Sequence, residues 1–392
     1  MGSLVVSDAL PENFNLGDHP SRTASMARKL KSDKWLFLPV LLLVCSSVVM
    51  VYSASFALAM DQFEQPYYYL FKQVTWVVLG LCLLLAAMRI DYRHLKQTIV
   101  VWTLLGGSLV ALCAVYLVGP EINGARRWFA IGGVGVQPSE LAKVAVIVFT
   151  AAVLEHRMKR IDEVSYSLLP IAVVVGVIGF LIVLQPDFGT AVMVLLIVGA
   201  MVFTAGLSYR YLVGLAVIVG PLLYLAASTA PYRRNRLAAF LDPWDDPLGS
   251  GYQIIQSLIA VGTGGVFGQG LMAGVQKLSF LPDPHTDFIY AVIAEETGLI
   301  GASLFLVCFL VIACRGLRVS MLAPDRFGSL LALGLTMMVS LQAFMNISVV
   351  LSLMPTKGYP LPFVSAGGSS MLVSLLAMGV LLNISQQASA RA

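Results

Sequence analysis

The sequence predicts an all-α polytopic membrane protein with about ten transmembrane helices, and three observations lead to this prediction. Hydrophobic residues make up 58% of the 392-residue chain and charged residues only 12%, whereas soluble proteins carry roughly 25% charged residues. The mean hydropathy is +0.85. Apolar runs of about 20 residues, enough for a helix to cross a bilayer, recur along the chain, and no strand-like alternation competes with them, which argues against a β-barrel.

The apolar runs give the predicted spans in order. They centre on residues 36–58, 70–88, 98–118, 141–154, 167–184, 190–206, 211–228, 288–314, 327–351 and 369–385. The fourth run is short, and only the polar segment 185–189 divides the fifth from the sixth. The membrane domain is therefore predicted over residues 35–386.

Basic residues flank these spans in a pattern that assigns both termini to the cytoplasm. Cytoplasmic loops carry an excess of Lys and Arg, and such residues precede the first span and follow the second, fourth, sixth and eighth. They include Arg28, Lys29, Lys31, Arg89, Arg93, Lys96, Arg157, Lys159, Arg160, Arg210, Arg315, Arg318 and Arg326. We expect a disordered cytoplasmic tail over 1–34 and a second cytoplasmic tail over 387–392.

A large loop, 229–287, is predicted on the extracytoplasmic side between the seventh and eighth spans. It carries several basic residues, but long loops translocate largely regardless of charge. The positive-inside rule does not explain basic residues on the extracytoplasmic side, but binding an anionic ligand would. Within the loop, Tyr252–Val261 has helical spacing with one apolar stripe. This segment is either a helix that lies in the membrane interface or a helix that packs within the loop.

Composition excludes several function classes. The five cysteines lie singly in apolar runs without a CxxC pair, so neither a disulfide framework nor a zinc site is predicted. The net charge of +4 is dispersed, which argues against a nucleic-acid surface. No nucleotide-binding motif occurs, and the sequence requires no cofactor.

Cations on the predicted outer face suit an anionic substrate. The candidate substrate-binding cations are Arg126, Arg127, Lys143, Lys277 and Lys357. For the two arginines the alternative is anchoring at the membrane interface. Lys143 could instead snorkel or pair with Glu140 at i,i+3. Lys357 is the only charge in its loop, which makes an anchoring role less convincing there.

Carboxylates gather around the start of the eighth span. Asp287 directly precedes the helix, where helix capping and a functional role are both open. Asp283 and His285 nearby are harder to explain by capping alone, and His285 is a candidate substrate-binding residue. Glu295 and Glu296 lie about 12 Å deeper along the same helix, where carboxylates usually face a cavity or a partner. Helical rotation places Glu295 nearer the face of Asp287 and Glu296 on the opposite face, which predicts a cavity role for Glu295 and a structural pair for Glu296.

The tenth span opens with Gly367-Gly368-Ser369-Ser370. Backbone N–H groups at such a helix start can bind phosphate, so Ser369 and Ser370 are candidate substrate contacts, although small-residue helix packing is an alternative. Carboxylates, cations and helix starts beside lipid together suit a lipid-linked phosphate substrate. A transporter is instead expected to show broken helices at the midplane and often an internal repeat, and no clear repeat is present.

Several motifs resemble the SEDS family (shape, elongation, division and sporulation) of bacterial membrane proteins, from about residue 35 to residue 385. The motifs are Gly124-Ala125-Arg126-Arg127-Trp128, Gln137-Pro138-Ser139-Glu140-Leu141-Ala142-Lys143, Gln185-Pro186-Asp187-Phe188-Gly189-Thr190, Asp246-Pro247-Leu248-Gly249-Ser250-Gly251-Tyr252-Gln253, His285-Thr286-Asp287-Phe288 and Gly367-Gly368-Ser369-Ser370. Met354-Pro355-Thr356-Lys357-Gly358 looks more like the cell-division branch than the elongation branch, which lacks the Thr-Lys pair.

The resemblance implies a ten-helix fold and a peptidoglycan glycosyltransferase that polymerises lipid II in septal wall synthesis in the bacterial inner membrane. It implies that Asp287 matches the essential aspartate of the family. Glu140, Asp187, Asp283 and Glu295 are predicted to support the site. It also implies a class B penicillin-binding protein and other division proteins as partners.

The mechanism that follows is a hypothesis. Asp287 would act as general base on the 4-hydroxyl of the acceptor sugar, and the outer cations would stabilise the departing pyrophosphate. A divalent cation such as Mg²⁺ or Mn²⁺ could share that task, although no ligand spacing demands one. The alternatives are a lipid II flippase and a non-catalytic scaffold that activates a penicillin-binding protein.

Overall fold

The computed structural model describes residues 32–389 except 122–123, 132–133, 159–162, 212, 215–216, 218–219, 222–230 and 279. This part of the chain is predominantly helical, as the sequence predicts. The helices are α1 (Lys34–Phe63), α2 (Tyr68–Arg89), α3 (Thr98–Val118), α4 (Pro138–Arg157), α5 (Val164–Leu184), α6 (Phe188–Thr204), α7 (Pro231–Leu241), α8 (Tyr252–Gly264), α9 (Ile289–Leu322), α10 (Arg326–Val350) and α11 (Gly368–Ser389). A short 3₁₀ helix, Tyr92–Lys96, connects α2 to α3.

The predicted spans correspond to α1–α6 and α9–α11. The seventh predicted span, 211–228, falls mostly on residues outside the described ranges, as does nearly all of the predicted tail 1–34. Helix α8 confirms the helix predicted in the large loop, while its position relative to a membrane stays a prediction.

Six helices of the described chain are long and apolar enough to cross a membrane, namely α1, α2, α3, α9, α10 and α11. Helices α5 and α6 carry shorter apolar stretches, Leu168–Leu184 and Phe188–Thr204. Because the most apolar windows of α10 and α11 are 78% buried and those of α2 and α3 only 28%, the first pair forms the centre of the bundle. The second pair lies at the periphery, with apolar faces suited to lipid.

Aspartates begin three of these helices. The side chain of Asp33 accepts hydrogen bonds from two backbone N–H groups at the start of α1, Asp187 accepts one from Thr190 N at the start of α6, and Asp325 accepts one from Gly328 N at the start of α10. Aspartate is favoured at this position because its carboxylate satisfies N–H groups that have no partner within the helix.

A small antiparallel hairpin precedes α4, which the sequence analysis did not predict. Strand β1 (Phe129–Ile131) pairs with β2 (Val134–Val136), with Phe129 opposite Val136. Its strands have three residues each, too short to give a clear alternating pattern. The available signal was the Gly-Gly pair between two short apolar runs, which is typical of a tight hairpin.

Helix α9 is broken at Gly298, whose φ of 66° and ψ of −167° interrupt the helical backbone. The backbone groups of α9 that lose their helical partners at the break form hydrogen bonds with the loop after α8 instead. These bonds join Gln269 N to Glu295 O (2.9 Å), Gly270 N to Glu296 O (3.0 Å), Leu299 N to Gly265 O (2.9 Å) and Ile300 N to Val266 O (3.3 Å). Glycine suits this site because a positive φ strains other residues.

The break divides α9 into two segments, and Glu295 and Glu296 lie in the first of them. The second segment, Leu299–Leu322, is about 36 Å long at 1.5 Å per residue, but it includes Arg315 and Arg318, which follow the eighth predicted span. The first segment, Ile289–Thr297, carries the two glutamates, and their depth in a membrane stays a prediction. A broken helix, which the sequence analysis associates with a transporter, is therefore present in α9.

Candidate functional site

Asp287 lies two residues before α9, and its side chain is partly exposed. Three successive carbonyls of its segment accept hydrogen bonds from α10 or from the loop after α10. These bonds run from Ala366 N to His285 O (2.9 Å), from Ser365 Oγ to Thr286 O (2.5 Å) and from Asn346 Nδ2 to Asp287 O (2.7 Å). The backbone is thereby fixed, while no described residue donates a hydrogen bond to the Asp287 carboxylate.

The loop after α10 packs directly against this carboxylate. A Cβ atom built on Gly358 would fall 2.1 Å from Oδ2 of Asp287, so only glycine permits the observed approach. Asn346 also donates a hydrogen bond from Nδ2 to Tyr359 O at 2.6 Å. One buried amide therefore holds both the Asp287 segment and the loop that touches it.

The surroundings of Asp287 alter its acidity. Burial, followed by repulsion from Asp283, raises the pKa of Asp287 to about 6. The positive charges of Arg236, Lys357 and Arg127 act in the opposite direction and keep the rise smaller. A carboxylate with a pKa close to neutral pH is well suited to general-base catalysis, and such perturbed groups cluster at functional sites.

Lys357, next to Gly358, forms an ion pair with Asp187 at the start of α6. Burial by itself raises the pKa of Asp187, but the charges of Lys357 and Arg127 outweigh this effect and lower the pKa to about 2. Gln137 Nε2 donates a further hydrogen bond to the Asp187 carboxylate at 3.4 Å. Asp187 thus favours its ionised form and holds the ammonium of Lys357, the residue next to the Gly358 that contacts Asp287.

Two arginines complete the positive side of the site, and backbone carbonyls orient both. Arg127 donates to Gln185 O (2.9 Å) and Pro186 O (2.7 Å), and Arg236 donates to Thr356 O (2.9 Å). The segment that carries Asp187 therefore binds Arg127, and the segment that carries Lys357 binds Arg236. Arg236 was only one of several basic residues in the predicted outer loop, and its place here becomes evident only in the fold.

A second hydrogen-bonded network lies behind the loop that carries Lys357. Lys143 pairs with Glu140 (2.8 Å), as its i,i+3 spacing allowed, and donates to Gln342 Oε1 (2.7 Å). Gln342 in turn donates to Pro360 O (2.9 Å) and to Ser370 Oγ (3.3 Å). Because Lys143 and Ser370 are buried in these contacts, the structure gives both a positioning role behind the Lys357 loop.

Ser369 and Arg126 occupy different surroundings. Ser369 Oγ accepts a hydrogen bond from Gln137 N (3.3 Å) and is buried, which links the start of α11 to the start of α4. Arg126 is exposed and lies 3.7 Å from Glu121 in a surface ion pair. Neither residue contacts Asp287, and their predicted substrate contacts stay predictions.

Lys277 lies in a separate, closed cluster, which we call the Glu296 cluster (Ser53, Lys277 and Glu296). Lys277 Nζ lies 2.5 Å from Glu296 Oε1 and 2.8 Å from Ser53 Oγ, and Ser53 Oγ lies 2.5 Å from the same Glu296 oxygen. Met272 N donates to the other carboxylate oxygen at 3.1 Å. Glu296 therefore forms the structural pair that its position on α9 predicts.

Glu295 also turns toward the loop rather than toward Asp287. Its Oε1 accepts hydrogen bonds from Val275 N (2.7 Å) and Gln276 N (3.1 Å), and its side chain is buried. No described contact joins it to the group formed by Asp187, Asp287, Lys357 and Gly358, which we call the Asp287 cluster. The predicted cavity role of Glu295 therefore has no support in these contacts.

His285 and Asp283 face the start of α2. The His285 ring is buried and packs against Tyr69, with ring centroids 4.7 Å apart. Asp283 is exposed and has a positive φ of 49°. Within the described chain, no group of three or more His, Cys, Asp or Glu side chains is arranged to hold a metal ion.

The comparisons with known proteins agree with this arrangement. Residues 33–390 match the cell cycle protein family FtsW/RodA/SpoVE. The chain belongs to this family. It is 42% identical over 355 residues to the probable peptidoglycan glycosyltransferase FtsW of Geobacter metallireducens, covering 90% of this chain and 94% of that protein. It is 39% identical over 364 residues to the stage V sporulation protein E of Bacillus subtilis, covering 92% and 98%.

Two solved structures share the fold of this FtsW/RodA/SpoVE family member. A peptidoglycan synthase complex that coordinates polymerisation and crosslinking matches with a TM-score of 0.75 and 33% identity, over 92% of this chain and 99% of that chain. The rod shape determining protein RodA of Thermus thermophilus matches with a TM-score of 0.67 and 30% identity, over 92% and 98%. The predicted family and the polytopic all-α fold are thus confirmed.

Proposed function

We propose that this protein is a peptidoglycan glycosyltransferase that polymerises lipid II at the outer face of the bacterial cytoplasmic membrane. The observation that carries this function is the Asp287 cluster, in which a partly exposed carboxylate of raised pKa lies against a loop bearing Lys357. The names of FtsW relatives and the solved synthase complex support the same activity.

In the proposed reaction, the Asp287 carboxylate removes the proton from the 4-hydroxyl of the acceptor sugar. The freed oxygen attacks the anomeric carbon of the donor from the side opposite the pyrophosphate. The new C–O bond forms as the bond to the pyrophosphate breaks, and undecaprenyl pyrophosphate leaves with the electron pair. General-base assistance of this kind typically contributes about 10²–10⁴-fold.

Lys357, Arg127 and Arg236 would stabilise the negative charge on the departing pyrophosphate. Their orientation by Asp187 and by three backbone carbonyls means that little reorganisation is needed during the reaction, which is the source of electrostatic catalysis. We propose no resident cofactor. A divalent cation, Mg²⁺ or Mn²⁺, carried by the pyrophosphate would share this charge, and EDTA in the assay tests its contribution.

The proposed setting is the division septum, with both termini in the cytoplasm and the 229–287 loop outside. The proposed partner is a class B penicillin-binding protein that crosslinks the new strand, together with other division proteins. The Thr356-Lys357 pair and the identity to FtsW proteins favour the division role over the elongation role.

The deciding experiment is lipid II polymerisation by the purified protein with its penicillin-binding partner, followed on gels, for wild type, Asp287→Asn and Asp283→Asn. We expect polymer from wild type and from the Asp283 control, and at least about 10²-fold less from Asp287→Asn. Equal polymer from a folded, partner-bound Asp287→Asn protein would remove Asp287 as the base. No polymer from any protein, beside a working control enzyme, would favour a flippase, which a lipid translocation assay then tests.

A further inference from the structure

A row of aromatic rings runs from the surface to the Asp287 segment, and the reaction proposed above does not use it. The row consists of Phe63, Tyr68, Tyr69 and His285, at the connection between α1 and α2. Phe63 stacks on Tyr68 with ring centroids 4.1 Å apart and an interplanar angle of 18°, Tyr68 meets Tyr69 edge-on at 5.2 Å, and Tyr69 meets His285 at 4.7 Å.

The row ends close to the reacting centre. His285 and Asp287 are two residues apart, and because a residue spans at most about 3.6 Å of extended chain, their Cα atoms lie within roughly 7 Å of each other. A ligand that covers the outer rings and continues past His285 therefore reaches the Asp287 carboxylate within the span of a few sugar rings.

Polar groups lie along the same row. The Tyr69 hydroxyl lies 3.5 Å from Gln62 Oε1, and the Lys72 ammonium lies 6.0 Å from the centre of the Tyr68 ring. Nδ1 of His285 is buried, and it has no hydrogen-bond partner among the residues that the structure describes. A buried polar atom without a partner costs free energy, which a hydroxyl or amide of a bound ligand would recover.

Flat aromatic faces bordered by hydrogen-bonding groups match the surface of a pyranose ring, which has apolar C–H faces and polar edges. An aromatic belt at the membrane interface would also place rings here. An interfacial belt, however, is not expected to form a continuous row of rings that leads inward to a buried histidine beside a candidate catalytic carboxylate. The inward continuity favours a saccharide over lipid headgroups.

We propose that the row Phe63–Tyr68–Tyr69–His285 is a binding site for the β-1,4-linked N-acetylhexosamine strand that enters or leaves the Asp287 cluster. This inference rests on the proposed glycosyltransferase function and names its saccharide subsite. Phe63 and Tyr68 stack on sugar faces, and His285 hydrogen-bonds the sugar nearest Asp287. The site holds the strand between additions, so it governs strand length.

The test uses the full-length protein in nanodiscs and a soluble probe, chitotetraose, observed by saturation-transfer difference NMR. Phe63→Leu and Tyr68→Leu are compared with Phe71→Leu. Phe71 lies on α2 as an exposed aromatic that meets Tyr67 but not this row, so it is the matched belt control. We expect chitotetraose to bind about three- to tenfold more weakly to the row variants and unchanged to the control. Phe63→Trp should restore binding.

Product length is the second readout, with folding checked by size exclusion. We expect the row variants with their partner protein to make shorter strands at similar initial rates, and Phe71→Leu to make strands of wild-type length. Unchanged probe binding and strand length in folded row variants, or equal losses in Phe71→Leu, would overturn the saccharide site while leaving the polymerase intact. Row-dependent chitotetraose binding by a wild-type protein that makes no polymer would retain the saccharide site and overturn the proposed function.

Discussion

The Asp287 cluster and the Glu296 cluster both combine a carboxylate with a lysine but pair them differently. Each places a carboxylate on or just before the first segment of α9 near a lysine from a neighbouring loop. Glu296 is closed, since Lys277, Ser53 and a backbone N–H group bond its two oxygens. Asp287 is open, because the nearby lysine is engaged by Asp187 instead.

This difference is the one expected between charges that stabilise a fold and charges that react. Both oxygens of Glu296 are bonded by partners, while Asp287, whose neighbouring cations bond other groups, has a raised pKa and an accessible oxygen. The distinction lies in the pairing, not in the residue types. Four predictions test it, beginning with the largest expected effect.

Breaking the closed cluster should be the most damaging change to stability. Lys277→Met leaves Glu296 buried without its cation, and the loss of one partner of a buried pair costs about 3–5 kcal/mol. We expect a large fall in Tm in detergent, measured by nanoDSF. Lys277→Met combined with Glu296→Gln should recover part of the loss, since no uncompensated charge remains. A Tm unchanged in Lys277→Met would mean that the pair is not closed.

Crowding the open carboxylate should affect catalysis rather than stability. Gly358→Ala places a methyl group 2.1 Å from Oδ2 of Asp287, which forces the carboxylate to move, and misplacing a catalytic group by about 1 Å can cost about 10²-fold in rate. We expect polymerisation to fall by about that factor. Gly367→Ala in the same loop is the control, because an added Cβ there would meet its nearest atom at 3.6 Å. Equal activity in both variants would place Asp287 elsewhere during turnover.

Removing the open charge should stabilise the protein. The pKa of Asp287 is raised in the folded state to about 6, so its contribution to stability is present at low pH and is lost as pH rises through about 6. We therefore expect Asp287→Asn to have a higher Tm than wild type at about pH 8, with the difference shrinking towards about pH 4. A lower Tm than wild type at the higher pH would indicate that the carboxylate is paired after all.

The smallest effect concerns the pH profile. Because a general base must be ionised, the wild-type rate should fall about tenfold per pH unit below about pH 6. Asp283→Asn removes a negative neighbour that raises the pKa of Asp287, so the acid limb should move to lower pH by less than about one unit, with the plateau rate unchanged. An acid limb that does not move would assign the titration to another group.

Much of the fold could be predicted from the sequence, because the thickness of a bilayer dictates runs of about 20 apolar residues. Lys357 could be selected because it is the only charge in its loop. Asp287 could be selected because the motifs resemble a family in which it matches an essential aspartate. The contact between Lys277 and Ser53 could not be predicted, because 224 residues separate them in the chain. Sequence patterns do not reveal such distant contacts.

Two residues were overlooked although a signal was present. Gln342 and Asn346 are polar residues one helical turn apart within the apolar helix α10, and both are buried. Polar side chains inside a membrane helix are costly and usually functional. Their spacing places them on one face, from which they hold the loop that carries Lys357 and Gly358.

The break at Gly298 also bears on how the Asp287 segment is held in place. A continuous helix would couple the position of Asp287 to any tilt of the segment Leu299–Leu322 in the bilayer, whereas the break interrupts that rigid connection. The segment Ile289–Thr297, which follows Asp287, is instead tied to the loop after α8 by hydrogen bonds from Gln269 N and Gly270 N. The position of Asp287 is therefore coupled to this loop more directly than to the helix beyond the break.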